Sequence, residues 1–262
     1  MAFTSINPAT GKRIGRHAAF TSRQVESAVD RAHATFAVWR EHSPARRARP
    51  LRALARTLRA RRDELAALAT AEMGKPVAQA RSEVEKCAVT CEFYARRGPA
   101  WLAAIRPEGA AENARVVCAP LGIVLGIMPW NFPFWQVFRA AVPALLAGNT
   151  FLLKHASNVT GCALAIEQVF AEAGFPSGAM QTLPVPSQKI GRLIADRRVA
   201  AVTLTGSTAA GKKVATLAGA AMKPGVYELG GSDAYLILAD ADLDRAAAVC
   251  AQARLTNSGQ SC

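Results

Sequence analysis

The fold of this chain is decided by residues 122–157, which have the sequence GIVLGIMPWNFPFWQVFRAAVPALLAGNTFLLKHAS. A short apolar run, Ile123–Met128, is followed by a proline-rich turn, a helical pattern over 136–147 and a second apolar run over 150–153. Short apolar runs that alternate with helical patterns are typical of βαβ units, in which helices connect parallel strands. The stretch therefore predicts an α/β fold with a mostly parallel sheet.

The same alternation continues towards the end of the chain. Further strands are predicted at 180–183, 201–205 and 235–238, with helices at 162–173, 187–195 and 208–221. Thr208 and Asp242 are candidate N-caps, the latter of a final helix. The first third is predicted to be helical, with helices after Ser22, from Ser43-Pro44 and over 77–97.

Residues 119–138 are almost wholly apolar, which raises a membrane-spanning helix as an alternative to the buried strand. Pro120, Pro129 and Pro133 would interrupt such a helix three times. We therefore expect a buried strand and a turn, and no membrane partner.

The chain carries a formal net charge of +13 over 262 residues, and its 51% hydrophobic content excludes intrinsic disorder. Much of the positive charge belongs to Arg46, Arg47, Arg49, Arg52, Arg56, Arg59, Arg61 and Arg62. Leucines interleave with these arginines at helical spacing, which indicates one amphipathic helix with a basic, solvated outer face. A polyanion-binding surface is the alternative interpretation, but no nucleic acid is expected as a partner because aromatic–basic RNA-binding motifs are missing from the sequence.

Six cysteines and four histidines are scattered without the paired spacing of a metal site, so no metal is expected. Thinly spread cysteines and an N-terminus without a signal-peptide pattern predict a reducing, cytoplasmic location.

Five short motifs carry polar groups that have both ordinary and chemical interpretations. They are Asn131 within PWNFP, Lys154 at a strand end, the turn Gly206-Ser207, the stretch 228–231 (ELGG) and the stretch 259–262 (GQSC). Taken singly, each is explained as a turn, a solvated charge or a spectator cysteine. A rigidly held amide, however, suits an oxyanion hole, and polar groups at strand ends suit a nucleotide site.

In this order and spacing, the five motifs resemble those of the aldehyde dehydrogenase superfamily, from Ile6-Asn7-Pro8 to the last residue. The stretches 73–76 (MGKP) and 228–233 (ELGGSD) are similar to those of bacterial NAD(P)-dependent succinate-semialdehyde dehydrogenases. The resemblance implies a Rossmann-like cofactor-binding domain over 1–101 and 121–227. It also implies a bridging hairpin used in oligomerisation at 102–120, and the start of a catalytic domain at 228–262.

The resemblance further implies oxidation of an aldehyde to the carboxylic acid by NAD or NADP through a cysteine thioester. Cys262 matches the nucleophile, Asn131 the donor to the oxyanion, and Glu228 the general base that activates water to hydrolyse the thioester. Arg139 matches an arginine that binds the substrate carboxylate, or it is simply a helix residue that reaches solvent.

Cofactor contacts are implied for residues at the ends of the predicted strands, namely Met128, Pro129, Trp130, Lys154, Ser157, Gly206, Ser207 and Leu229. Ser157 stands where many NAD-selective relatives carry a glutamate. Without that negative charge a 2′-phosphate is tolerated, so both NAD and NADP remain candidates.

Members of the resembled family continue well beyond the nucleophile. The chain is therefore expected to be an N-terminal portion, with most of the catalytic domain and the C-terminal assembly strand of a homo-oligomeric family absent. An exposed apolar surface is expected as a result. Two hypotheses follow: an aldehyde dehydrogenase that works when completed, or a non-catalytic remnant that at most binds nucleotide.

Overall fold

The computed structural model describes residues 1–261. The chain begins with an antiparallel hairpin of two strands, β1 (Ala2–Ile6) and β2 (Arg13–Ala18). The sequence pattern predicts only helices in this region, and the hairpin corrects that prediction. Only Ser5 of these strands is buried, so the hairpin has no alternating apolar face for a sequence pattern to register.

Four helices follow the hairpin: α1 (Ser22–Trp39), α2 (Pro44–Ala60), α3 (Arg62–Met73) and α4 (Val77–Trp101). Thr21 and Ser43 cap the first two helices through their side chains, and α3 ends at Gly74 with φ of 92°. The predicted single basic helix is wrong, because the chain breaks at Arg61 into α2 and α3. The break lets the leucines of both helices enter the same core.

From residue 123 strands and helices alternate as predicted. The elements are β3 (Ile123–Met128), α5 (Trp135–Leu146), β4 (Thr150–His155), α6 (Thr160–Glu172), β5 (Met180–Thr182), α7 (Ile190–Ala195), β6 (Val199–Thr205), α8 (Thr208–Ala220), β7 (Gly225–Glu228) and α9 (Leu243–Leu255).

The five strands β3 to β7 form one parallel sheet in the order β5-β4-β3-β6-β7. Helices α2 to α6 pack on one face of the sheet against Val124 and Phe151. Helices α1, α7 and α8 pack on the other face against Ile123 and Leu125. Neighbouring residues of β3 thus point to opposite layers, as the strand period requires, and both faces of the sheet are covered.

The predicted strand at 235–238 is wrong. These residues are apolar but unpaired within the described part of the chain, and Leu236 is 89% exposed. The fifth strand is instead β7, which pairs with β6 and carries no continuous apolar run. Ser207, one residue before the predicted cap Thr208, caps α8, whereas Asp242 caps α9 as predicted.

The arginine-rich stretch is more strongly paired than a simple solvated face. Arg47 is buried and donates to the backbone carbonyls of Leu146 and Ala147, so it is not part of an outer basic face. Arg59 is ion-paired with two glutamates of α4, and Arg61 with one glutamate each of α3 and α6. These contacts favour a structural role for several of the charges over a free polyanion surface.

Residues 102–120 contain one antiparallel bridge, in which Ile105 and Val116 exchange backbone hydrogen bonds of 3.0 and 2.8 Å. Both side chains are more than half exposed. In the stretch 119–138, the apolar residues form β3, a turn and the start of α5, and no helix within residues 1–261 is long and apolar enough to span a membrane.

Candidate active site

The strand order of the sheet reverses between β3 and β6. From β3 the chain moves outward through β4 and β5, then returns to the opposite side of β3 with β6 and β7. At such a point the connections after the two central strands leave in opposite directions and open a crevice at the carboxyl edge, where ligands bind in open α/β sheets. Met128 ends β3 at this edge, and Thr205 ends β6.

The loop that follows β3 presents Asn131 at this edge. Its side-chain Nδ2 donates to the carbonyl oxygen of Gln260 at 2.7 Å, which fixes the orientation of the amide. The partly buried Asn131 has a second amide hydrogen that this bond leaves free, while its Oδ1 is buried without a hydrogen-bond partner in the described chain.

Asn257 is a site residue that the sequence reasoning missed. It is 2% exposed, and its Nδ2 donates to the carbonyl oxygen of Asn131 at 2.7 Å. Asn257 and Ser258 have φ of 57° and 56°, a left-handed conformation that asparagine tolerates better than most residues. The signal in the sequence is an asparagine before Ser-Gly at the end of a helix. Such a pattern predicts a turn, but it does not indicate which residue the asparagine side chain binds.

The carboxylate of Glu228 and the guanidinium of Arg139 lie beside each other. Arg139 Nη1 is 3.0 Å from Glu228 Oε1, and Arg139 Nη2 donates to Thr205 Oγ1 at 3.1 Å. The side chains are 32% and 51% exposed, so the pair is accessible to solvent and to competing anions. These two residues, predicted to act in different steps, are therefore direct neighbours in the structure.

Lys154 lies near the carboxyl end of β4 and is partly buried. Burial lowers the pKa of its ammonium group, and its Nζ meets no acceptor or carboxylate among residues 1–261. Ser157, three residues later, is exposed at the start of a short 3-10 turn. A lysine with an unused donor next to an exposed hydroxyl fits the hydroxyls or phosphate of a nucleotide ribose.

The turn after β6 forms the start of α8. Gly206 N donates to the carbonyl oxygen of Glu228 at 3.0 Å, and Ser207 Oγ accepts from Ala210 N at 3.2 Å. Leu229 packs on α8 at Gly211, where an added Cβ would lie 2.5 Å from the leucine side chain. Ser207 is exposed, and the remaining N–H groups of the first turn suit a phosphate group.

His155 connects β4 with the Asn131 loop. Its Nε2 lies 2.8 Å from the carbonyl oxygen of Pro133, and its Nδ1 accepts from Ala156 N at 2.8 Å. This arrangement requires the neutral tautomer with hydrogen on Nε2. Burial, opposed by the backbone hydrogen bonds, lowers the pKa of His155 to about 4, so the ring stays neutral near neutral pH.

Of the predicted residues, those after β3, β4, β6 and β7 all lie along the carboxyl edge of the sheet. Met128 is buried, Pro129 is partly buried and Trp130 is 38% exposed. The predicted nucleophile Cys262 lies outside the described residues.

The strand order and the helices on both faces define an open, parallel, doubly wound α/β protein. The model of the aldehyde dehydrogenase family matches residues 1–262, and the chain belongs to this family. The predicted family and fold class are thereby confirmed.

Related proteins match all or nearly all of the chain but are longer. A Synechocystis protein named "Probable succinate-semialdehyde dehydrogenase [NADP(+)]" is 50% identical over 100% of this chain and 58% of its own length. The succinate semialdehyde dehydrogenase [NAD(P)+] Sad of Escherichia coli is 48% identical over 98% of this chain and 56% of its own length. The crystal structure of succinic semialdehyde dehydrogenase from Streptococcus pyogenes in complex with NADP+ matches with a TM-score of 0.95 at 34% identity. The match covers 100% of this chain and 58% of the chain in that crystal structure. The chain thus spans little more than half the length of these relatives.

Proposed function

We propose that the chain is the cofactor-binding part of an NAD(P)+-dependent aldehyde dehydrogenase that oxidises succinate semialdehyde to the acid. The observation that carries the proposal is the carboxyl edge of the sheet. Along this edge lie an oriented amide (Asn131), a lysine without an acceptor among residues 1–261 (Lys154) and an arginine–glutamate pair (Arg139 and Glu228), and the edge contains the switch point of a dinucleotide-type fold. The names of the relatives support the substrate and the cofactor class.

In the proposed reaction the thiolate of Cys262 attacks the aldehyde carbon. Asn131 donates a hydrogen bond, from its second amide hydrogen, to the oxygen that becomes negatively charged. The hydrogen bond to Gln260 keeps the amide from rotating. A bound NAD(P)+ would supply the acceptor for the hydride that leaves the aldehyde carbon, so that a thioester would remain on Cys262. Glu228 then takes a proton from the water that hydrolyses the thioester, which releases the acid and the thiolate.

Arg139 binds the carboxylate of the substrate in this proposal. A guanidinium can donate two parallel hydrogen bonds to a carboxylate, and the ion pair between Arg139 Nη1 and the accessible carboxylate of Glu228 supports this role. Substrate and Glu228 would therefore compete for Arg139, and binding of the substrate would release Glu228 to act as the base.

The proposed cofactor contacts follow the same edge of the sheet. Lys154 and Ser157 meet the ribose, and Gly206, Ser207 and Leu229 flank the start of α8. Met128, Pro129 and Trp130 line the loop after β3. The uncharged Ser157 supports tolerance of a 2′-phosphate, which agrees with the NADP+ in the names of relatives.

The domain division remains part of the proposal. Residues 1–101 and 121–227 contain the sheet and the helices that cover it, and 102–120 form the bridged segment that serves oligomerisation. Residues 228–262 begin the catalytic domain. The scattered cysteines support a cytoplasmic location.

The proposal is tested by the reduction of NAD+ or NADP+, followed by ultraviolet absorbance, with purified chain and succinate semialdehyde. We expect the chain to bind the dinucleotide, and any reduction to disappear in Cys262→Ala. We also expect a preference for succinate semialdehyde over an uncharged aldehyde of equal length, which Arg139→Met abolishes. Saturable dinucleotide binding without reduction would contradict catalysis and favour the alternative of a nucleotide-binding remnant.

A further inference from the structure

We propose that the buried ion pair of Lys75 and Glu83, together with His155, is a clamp that positions the loop 129–134 and thereby the amide of Asn131. The three are positioning residues, because they contact the loop and not the reacting atoms. The consequence for catalysis rests on the proposed role of Asn131, whereas the clamp itself is a matter of structure.

The side chain of Glu83 binds the backbone at the end of the loop. The side chain, on α4, is 1% exposed, and its Oε1 accepts from Phe134 N and from Trp135 N, each at 2.8 Å. Phe134 is the N-cap position of α5 and has no side chain that can cap. The carboxylate therefore replaces the missing cap and fixes where the loop ends and the helix begins.

Lys75 holds both Glu83 and the middle of the loop. Its side chain is fully buried, its Nζ pairs with Glu83 Oε2, and the same Nζ lies 4.5 Å from the centroid of the Phe132 ring. Burial lowers the pKa of Lys75, and the opposing effect of the Glu83 carboxylate is smaller, so the net shift of the pKa is downward. Phe132 directly follows Asn131, so the cation fixes the residue next to the amide.

His155, on β4, is the third residue of the clamp. It binds the carbonyl of Pro133, which lies between Phe132, contacted by Lys75, and Phe134, contacted by Glu83. With Asn257 on the carbonyl of Asn131, every residue from 131 to 135 is contacted through its backbone or ring by a buried polar side chain from elsewhere in the chain.

A buried ion pair is a costly way to obtain stability alone. Replacement of such pairs by apolar groups is often neutral or stabilising, because desolvation offsets the attraction between the charges. The Lys75–Glu83 pair nevertheless contacts three residues that follow Asn131, namely Phe132, Phe134 and Trp135. Such contacts are what an active-site loop needs, because catalytic groups must be held to within about 0.5 Å.

The chain offers a matched control in Glu72. As a whole residue it is 3% exposed, the same fraction as Glu83, and it also caps a helix, accepting from Gly161 N at 2.9 Å and Cys162 N at 2.8 Å at the start of α6. The test compares Glu83→Gln with Glu72→Gln by amide hydrogen exchange and mass spectrometry on peptides that span 130–137 and 158–164.

In Glu83→Gln we expect exchange in 130–137 to become about tenfold faster, because the hydrogen bonds from two amides lose their charge assistance and Lys75 loses its anionic partner. In Glu72→Gln we expect faster exchange in 158–164 and unchanged exchange in 130–137. Unchanged exchange of 130–137 in Glu83→Gln, or an equal increase there in Glu72→Gln, would overturn the clamp.

A second comparison separates positioning from general stability. Lys75→Met leaves Glu83 charged and unpaired, and is expected to lower the melting temperature more than the double variant Lys75→Met/Glu83→Gln. The double variant should regain most of the melting temperature that Lys75→Met loses, but its amides in 130–137 should still exchange fast. Recovery of slow loop exchange together with stability would show that the pair has no positioning role.

The exchange measurements need neither cofactor nor turnover. Absence of NADP+ binding by the unmodified chain would contradict the proposed function and leave the clamp standing. Normal loop exchange in Glu83→Gln would contradict the clamp and leave the proposed function standing.

Discussion

Replacement of Asn257 by alanine is expected to release the segment 256–261 and α9 from the body of the protein. Helix α9 buries none of its residues. Two side-chain hydrogen bonds attach the segment to the loop after β3: Asn257 Nδ2 to the Asn131 carbonyl, and Asn131 Nδ2 to the Gln260 carbonyl. Asn257 is thus a tether whose loss can be measured locally.

The size of the effect follows from the contacts and the backbone. Asn257→Ala removes the hydrogen bond that Asn257 donates to the Asn131 carbonyl, worth about 1 kcal/mol net, whereas its longer bond to Gln260 lies within the segment and does not attach it. It also places alanine at φ of 57°, which costs roughly 1 kcal/mol more. A total of about 2 kcal/mol raises the population of the detached state about 30-fold. Asn257→Gly loses the bond but not the backbone term, so its increase is about fivefold.

Limited trypsin digestion measures the detached population, because Arg245 and Arg254 lie in α9 and cleavage follows the open state when opening is fast. We expect cleavage in the order Ala, then Gly, then unmodified chain. Ser258→Gly is the control: it relieves a φ of 56° without removing a tether bond, and should not accelerate cleavage. Cleavage of Asn257→Ala at the unmodified rate, or faster cleavage of the glycine variant, would refute the reasoning.

Two further predictions concern stability. His155 has its pKa lowered to about 4 from an ordinary 6.5, so the unfolded chain binds the extra proton and the free energy of unfolding should fall by up to about 3 kcal/mol as pH drops through that window. Urea unfolding at several pH values should show this slope, and His155→Gln should flatten it; equal slopes would contradict the assignment. Gly126→Ala should destabilise by about 1–3 kcal/mol, because its Cβ would overlap the buried ring of Phe151, whereas Gly230→Ala has open space and should be neutral in the same assay.

The central strands could be predicted from the sequence because they are buried on both faces. Ile123–Met128 is a continuous apolar run with a turn behind it, and such a run has few structural alternatives. The hairpin of β1 and β2 and the edge strand β7 could not be found in this way, because their pairing depends on backbone hydrogen bonds without an apolar stripe. Residues 235–238 show the reverse, an apolar run without a strand partner in the described chain.

The candidate site was only partly visible in the sequence. Asn131, Lys154 and Glu228 were found because they belong to motifs in a known order. Lys75 and Glu83 were not assigned a role, because a lysine in a short loop and a glutamate on a helix are typical of the surface, and only the packing shows that both are buried. Their contacts with the loop span about fifty positions, which no local pattern can reveal.

Calorimetric titration of the chain with NADP+ tests the central claim, that the carboxyl edge of the sheet is a dinucleotide site. We expect saturable binding that Lys154→Met weakens about tenfold or more, because a partly buried ammonium donor is removed. The matched variant Lys12→Met, at an exposed position in the hairpin turn, should bind as the unmodified chain does. Absence of saturable binding, or equal weakening by both substitutions, would contradict the account.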